Sequence, residues 1–132
     1  MEQDALIAAF YRAYNAGDAG AAVALYAGDG THVEAASGKA RSGPEALRAG
    51  LEGFLAMFRD LRFETERPVR AGSQVVVTYL MTGTLVRDLG PLKAAGRRVA
   101  LRGVHLFEIE AGRIRRSTDF WDFDELRAQV AA

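Results

Sequence analysis

Apolar side chains recur mainly every three or four positions over residues 1–58 and every second position from residue 61 onward. The first spacing is that of one face of an α-helix, and the second is that of one face of a β-strand. The pattern predicts helices over residues 2–16, between 18 and 28 and from 42 onward, strands over 31–35, 61–70, 73–87, 97–110 and 113–121, and a C-terminal helix from 122. Helices segregated from strands are typical of an α+β fold, in which a curved antiparallel sheet wraps over three N-terminal helices as a cone.

Helix boundaries are marked by residues that stop or cap helices. Gly17 is a typical helix stop, and Asp18 is a typical N-terminal cap of the next helix. Residues 42–45 (Ser-Gly-Pro-Glu) and 122–125 (Asp-Phe-Asp-Glu) each have the form of a capping box. We therefore assign Asp122 to helix capping. Residues 88–96, which hold two glycines and a proline, are predicted to form a loop at the rim of the cone.

Residues 97–122 predict two long antiparallel strands, and a candidate site lies where they pair. If residues 110–112 (Glu-Ala-Gly) form a three-residue loop with glycine in the left-handed position, residues 109 and 113 pair. One face of the hairpin then carries His105, Phe107, Ser117, Asp119 and Trp121. A two-residue loop would place His105 and Asp119 on opposite faces, because a shift of one residue reverses a strand. The glycine at the third loop position favours the three-residue loop.

The composition narrows the classes of function. A chain of 132 residues predicts one domain over residues 1–132, and equal numbers of basic and acidic residues (17 each) give no reason to expect nucleic acid binding. The absence of cysteine excludes disulfides and a thiol nucleophile. We expect no membrane association and a cytoplasmic location, because no apolar run approaches the roughly 20 residues of a membrane span and the first residues do not resemble a signal peptide. We also expect no metal and no cofactor, because the spacings typical of such sites are missing.

Short segments spread over nearly the whole chain carry a family resemblance. They are residues 15–18 (NAGD), 23–29 (VALYAGD), 83–84 (GT), 96–97 (GR), 103–105 (GVH), 112–114 (GRI) and 119–122 (DFWD), with Leu126 and Gln129. Together they resemble the nuclear transport factor 2-like superfamily and, within it, the SnoaL-like polyketide cyclases and ester cyclases. The resemblance implies a cone-shaped α+β barrel and a homodimer formed through the outer face of the sheet. Outward-facing Val76, Thr78 and Leu80 are compatible with such a dimer.

The resemblance also implies candidate catalytic residues. SnoaL-like cyclases use an aspartate on the last strand as acid or base and a histidine on the strand before it, which match Asp119 and His105. Ketosteroid isomerase-like members use a carboxylate base on the early strand, which falls on Glu34, and an oxyanion acid, which falls on His105. Their first-helix tyrosine falls on Phe10, which cannot donate a hydrogen bond. Limonene epoxide hydrolase-like members place a catalytic carboxylate at Asp119.

Each candidate also has a plain structural interpretation. Asp119 is followed by the aromatic residues Phe120 and Trp121 and is expected to be partly desolvated. Desolvation would raise its pKa towards the range that acid/base work needs, unless the carboxylate only binds backbone or an arginine. His105 could orient Asp119, polarise a substrate carbonyl, shuttle a proton, or be a core residue. Glu34 is either a second carboxylate in the cone or an exposed edge residue. The candidate pocket walls, which core packing would also explain, are Phe10, Tyr14, His32, Phe54, Phe58, Tyr79, Met81, Phe107 and Trp121.

The sequence therefore favours a cofactor-independent acid/base enzyme, an aldol-type cyclase or isomerase, which acts on a small hydrophobic carbonyl compound. A second hypothesis is a non-catalytic module of the same fold that binds a small ligand. A third is a limonene epoxide hydrolase-like enzyme in which Asp119 activates water. The fold alone does not separate them, because this superfamily hosts many chemistries.

Overall fold

The computed structural model describes residues 1–131 and has four helices and seven strands within that range. The helices are α1 (Gln3–Asn15), α2 (Ala19–Val23), α3 (Pro44–Leu55) and α4 (Phe123–Ala131). The strands are β1 (Tyr26–Glu34), β2 (Lys39–Ser42), β3 (Phe58–Thr65), β4 (Val69–Ala71), β5 (Gln74–Leu85), β6 (Arg98–Glu110) and β7 (Arg113–Trp121). The predicted α+β fold, with three N-terminal helices, a curved sheet and a short C-terminal helix, is confirmed. Within residues 1–131, no helix combines the length and the apolar character that a membrane span requires.

The strands form one sheet in the order β2-β1-β7-β6-β5-β3, and β4 pairs with β5. Strands β5, β6 and β7 are antiparallel neighbours, whereas β1 runs parallel to β7. The parallel pairing places Glu34 beside Asp119 in register. The prediction of a short strand over residues 31–35 was wrong in length, since β1 already begins at Tyr26. Strand β2 was not predicted at all, because its four residues are all exposed and show no apolar alternation.

The turn between β6 and β7 differs from the predicted three-residue loop. Glu110 pairs with Arg113, so the loop contains only Ala111 and Gly112, both with positive φ (52° and 73°), as in a type I′ turn. The register then shifts by one residue at Arg115, which forms a bulge. This shift reverses the effect of the shorter loop and brings His105 directly opposite Asp119. The predicted shared face is therefore correct, although the loop length behind it was wrong.

The core lies between the inner face of the sheet and the helices. Helix α1 contributes a buried aromatic face, in which Phe10 stacks on Tyr14 with ring centres 4.3 Å apart and meets Phe107 edge-to-face at 4.9 Å. Helix α4 buries Leu126 and Val130, as its spacing predicts. Because helices cover this face of the sheet, polar groups that point inward from the strands lose most of their contact with water.

Two of the predicted caps are confirmed and one is wrong. The Asp18 carboxylate accepts a hydrogen bond from the backbone N–H of Ala21 at 2.9 Å, and Asp122 accepts one from the N–H of Asp124 at 2.9 Å. Helix α3, in contrast, has Gly43 at its N-cap position and no hydrogen bond from a capping side chain. Ser42 belongs to strand β2, where its hydroxyl is hydrogen bonded to Thr31, so it is not free to cap the helix.

Candidate active site

A cavity of about 250 Å³ lies between the sheet and helix α3. The lining residues come from both layers and are mostly apolar or aromatic. They are Tyr14, Val23, Tyr26, His32, Glu34, Lys39, Arg41, Leu47, Gly50, Leu51, Phe54, Met57, Phe58, Tyr79, Met81, Leu85, Leu101, Asp119, Trp121 and Leu126. An apolar cavity that holds a few polar groups is the usual form of a small-molecule site.

The structure brings most of the predicted site residues to this cavity. The predicted wall residues that line it are Tyr14, His32, Phe54, Phe58, Tyr79, Met81 and Trp121, and both carboxylates, Glu34 and Asp119, line it too. The assignment of Phe10 and Phe107 to the wall was wrong, because both are fully buried and pack against each other behind it. His105 is also fully buried and does not line the cavity.

Asp119 and Glu34 form a carboxyl pair on the cavity wall. Asp119 is only 9% exposed, and its pKa is raised well above 3.8, first by burial and then by the charge of Glu34. One carboxyl oxygen of each residue lies within 4.8 Å of the other. Because burial and the charge of Glu34 both favour the neutral form of Asp119, Asp119 keeps its proton beside the Glu34 carboxylate.

Tyr79 stabilises the carboxyl group of Asp119 from the other side. Its hydroxyl donates a hydrogen bond of 2.6 Å to Oδ1 of Asp119, and burial raises the pKa of Tyr79, so that the phenol keeps its proton. Tyr79 lies on β5 and Asp119 on β7, so the ring must cross β6. It crosses at Gly103, its register partner, where a Cβ atom would overlap the ring and the hydroxyl of Tyr79. Gly103 therefore creates the space that lets Tyr79 reach Asp119.

His105 lies beneath the carboxyl pair as a neutral imidazole. Burial lowers the pKa of His105 well below 6.5, and its Nδ1 is hydrogen bonded to the Tyr11 hydroxyl at 2.7 Å. Its Nε2 lies 3.6 Å from Oδ1 of Asp119 and is the one buried side-chain polar atom of residues 1–131 without a hydrogen bond. In the tautomer in which Tyr11 donates to Nδ1, the ring proton is on Nε2 and faces Asp119. The geometry therefore allows His105 to act on Asp119 but not to touch a molecule in the cavity.

His32 and Glu34 complete the polar side of the wall. Nδ1 of His32 is hydrogen bonded to Ser117 at 2.7 Å, and its Nε2 lies 3.8 Å from Glu34 Oε1. The indole N–H of Trp121 donates to Oε2 of Glu34 at 3.4 Å. The interpretation of Glu34 as an exposed edge residue was wrong in part, because its side chain is one-third exposed but lines the cavity.

His32, Glu34 and Asp119 are also the donor set in which a metal ion would fit best. One ligand atom from each lies within 4.8 Å of the others. The spacing of residues along the chain could not reveal this cluster, because it joins two strands that are far apart in sequence. A metal ion and a proton on Asp119 would exclude each other, since both would be bound by the same carboxyl group.

Sequence reasoning missed several residues that shape the site. Tyr11 was seen only as part of an apolar helix face, and the contact with His105 joins residues 94 positions apart. Tyr26, whose hydroxyl is 2.5 Å from Ser117, was assigned to a helix. Lys39 and Arg41 were missed together with strand β2. Only the strand pairing places these residues near the carboxyl pair.

The sequence model of the SnoaL-like domain matches residues 7–117. The chain belongs to the SnoaL-like domain family. No curated protein shows significant sequence similarity to it. The expected family is thus confirmed, while the reaction is not defined by it.

Solved structures with the same fold come from several bacteria. A candidate polyketide cyclase of Xanthomonas campestris is 28% identical, with a TM-score of 0.82 over 96% of this chain and 95% of that one. A candidate polyketide cyclase of Pseudomonas putida is 27% identical, with a TM-score of 0.82 over 98% of each chain. A ketosteroid isomerase-like protein of Catenulispora acidiphila, solved with trimethylamine, is 22% identical, with a TM-score of 0.83 over 96% and 92%. This SnoaL-like protein therefore resembles polyketide cyclases in both sequence and fold.

Proposed function

We propose that this SnoaL-like protein is an acid/base enzyme that enolises a small hydrophobic carbonyl compound, as an aldol-type cyclase or an isomerase does. The observation that supports the proposal most strongly is the carboxyl pair of Asp119 and Glu34 on the wall of a mostly apolar cavity, where the raised pKa of Asp119 favours its protonated form. Such a pair offers an acid and a base side by side. Enolisation needs both, one at the carbonyl oxygen and one at the neighbouring carbon.

In the proposed step, the Glu34 carboxylate takes a proton from the α-carbon while the protonated Asp119 gives its proton to the carbonyl oxygen. The C–H bond breaks, its electron pair forms the enol double bond, and the carbonyl π electrons become the oxygen lone pair that binds the proton. The pair holds one proton and one negative charge both before and after the step. The enol then attacks a second carbonyl in a cyclase, or is protonated at another carbon in an isomerase.

Tyr79 and His105 are positioning residues in this proposal. The Tyr79 hydroxyl donates to Oδ1 of Asp119, so it stabilises the carboxylate that is left when Asp119 gives up its proton. His105 is buried and reaches Asp119 only from beneath, so it does not stabilise the enolate by direct contact. The apolar wall keeps water away from the pair, which strengthens these electrostatic effects.

The proposal is tested by the exchange of α-protons for deuterium in a panel of cyclic ketones in D₂O, followed by ¹H NMR. Exchange reports enolisation and does not require the natural substrate. The protein should accelerate exchange for at least one ketone, and Asp119→Asn should lower the rate at least ~100-fold. Asp29→Asn, a matched change at an exposed position of β1, should leave the rate unchanged. Equal rates for the folded Asp119→Asn variant and the original protein would refute the proposal.

Binding without catalysis is the second candidate function. It is supported by the mainly apolar cavity wall, and the related Catenulispora protein was solved with the small molecule trimethylamine. The same exchange experiment separates the two candidates. Ligand binding without any acceleration of exchange would favour the binding module.

We further propose that two copies of the chain form a homodimer through the outer face of the sheet. Strands β5, β6 and β7 place a row of outward-facing side chains there, with Val76 beside Leu106 and Val104 beside Phe120 in register. Phe120 is 44% exposed, which is unusual for a phenylalanine in the centre of a sheet. An apolar face of this kind is typical of a surface that binds a partner.

A further inference from the structure

Lys39 and Arg41 are the two lysine or arginine side chains that line the cavity. They are two residues apart on strand β2, so both side chains point to the same face of the sheet. Lys39 lies opposite Glu34 and Arg41 opposite His32 in the β1–β2 pairing. The two cations therefore border the same cavity as the carboxyl pair.

Neither cation has a partner of opposite charge within residues 1–131. No carboxylate lies within ion-pair distance of either, and neither side chain makes a hydrogen bond, whereas Glu34 and Asp119 accept from Trp121 and Tyr79. Two positive charges that form no ion pair with the carboxylates of the cavity can bind an anion.

The fold also makes room for Arg41 at this place. A Cβ atom on Gly50 in helix α3 would overlap Cδ and Nε of Arg41. The Arg41 side chain therefore lies in the space that any other residue at position 50 would fill. A glycine inside a helix destabilises it by roughly 1 kcal/mol relative to alanine. The packing at Gly50 distinguishes Arg41 from a freely solvated surface arginine.

We propose that Lys39 and Arg41 form a binding subsite for an anionic group, a carboxylate or a phosphate, on the molecule that occupies the cavity. This inference rests on the proposed function because it takes the same cavity as the substrate site. The anion subsite defines the substrate class more closely, as an amphipathic carbonyl compound with one anionic end. The guanidinium of Arg41 offers paired N–H donors in a plane, which match the oxygens of such a group. The anion at β2 would direct the apolar part towards Asp119.

The test uses two ligands of nearly the same shape, octanoate and 2-nonanone. Octanoate carries a charged oxygen on its carbonyl carbon, where 2-nonanone carries a methyl group. Trp121 is the sole tryptophan of the chain and lines the cavity, so its fluorescence reports binding. The protein should bind octanoate about 10-fold more tightly than 2-nonanone, as expected for a charge-assisted contact at a partly exposed site. Arg41→Gln should abolish this preference and leave the affinity for 2-nonanone unchanged. A comparison of octanoate with octyl phosphate identifies which anion fits better.

Two glycine variants in helix α3 give a matched control. Gly50→Ala should displace the flexible Arg41 side chain and weaken octanoate binding several-fold, while the helix is slightly stabilised. Gly53→Ala has the same helical benefit but no atom near its new Cβ, so it should leave binding unchanged. This pair separates the placement of Arg41 from any effect on the stability of the fold.

The possible results are clear-cut. The subsite proposal would be overturned if the original protein bound octanoate and 2-nonanone with equal affinity. It would also be overturned if Arg41→Gln lowered the affinity for both ligands equally. A preference for octanoate that persists in Asp119→Asn, together with loss of exchange, would support both proposals independently. A preference for octanoate without any catalysed exchange would support the anion subsite and refute the proposal that the protein is an acid/base enzyme.

Discussion

The raised pKa of Asp119 beside Glu34 makes the stability of the fold depend on pH in a defined direction. Below pH 3.8, the ordinary pKa of aspartate, Asp119 is protonated in both the folded and the unfolded chain and contributes nothing. Above that value the unfolded chain releases its proton, while the folded chain keeps it until the raised pKa is reached. Each pH unit in this window lowers the free energy of unfolding by about 1.4 kcal/mol. Stability is therefore lost as the pH rises through the window.

Replacing Glu34 with glutamine should reduce this loss. The oxygens of the two carboxyl groups lie within 4.8 Å, and one-third of the Glu34 side chain is exposed. With an effective dielectric constant of about 20 to 40 for such a partly exposed pair, the repulsion between two charges amounts to about 2–3 kcal/mol. Removing it lowers the pKa of Asp119 and narrows the window. The loss of stability between pH 4 and pH 9 should shrink by about 2 kcal/mol.

Urea denaturation at a series of pH values, followed by Trp121 fluorescence, measures this difference. Glu64→Gln removes a carboxylate from an exposed position of β3 and should not change the pH dependence of Asp119. The low pKa of His105 gives an opposite slope, with stability lost as the pH falls below 6.5, but this slope is common to all variants and cancels. In an Asp119→Asn background, Glu34→Gln should have no such effect. If Glu34→Gln alone leaves the pH dependence unchanged, Glu34 does not help to retain the proton on Asp119.

The remaining predictions concern the support of the site and the assembly. Gly103→Ala should push Tyr79 away from Asp119 and raise the pKa of Asp119 further, because the hydrogen bond that is lost favours the carboxylate. Since Asp119 acts in its protonated form, the alkaline limb of the pH profile of the exchange rate should move to higher pH. Tyr79→Phe should give the same shift, and an unshifted profile in both variants would contradict the role of this hydrogen bond. For the assembly, light scattering should give the mass of a dimer, and Phe120→Glu should convert it to a monomer because a charge would be buried in the apolar interface. A monomeric original protein would contradict the dimer.

The fold class could be predicted because each long element carries its own periodic pattern. Helices α1 and α4 show apolar residues at helical spacing, and buried positions alternate with more exposed ones along most of β5 and β6. Strand β2 could not be predicted in this way. It is short and fully exposed, and it exists because its backbone pairs with β1.

The candidate site was predictable only in part. Asp119 stood out as a carboxylate beside Phe120 and Trp121 near the end of an alternating strand. Its neighbours could not be identified from local pattern, since Glu34, Tyr79 and Tyr11 come from three other elements. Phe10 and His105 were predicted to reach the substrate, but packing of α1 on the sheet places both beneath the cavity wall.

The sequence by itself determined the α+β architecture and the family. These properties depend on local periodicity and on short motifs, which most of the long elements carry. The tertiary structure alone decided the turn and bulge that set the β6–β7 register, the parallel contact that joins Glu34 to Asp119, and the placement of Arg41 across Gly50. Each of these depends on contacts between residues remote in sequence, and the raised pKa of Asp119 exists only because the folded chain buries it beside a second carboxyl group.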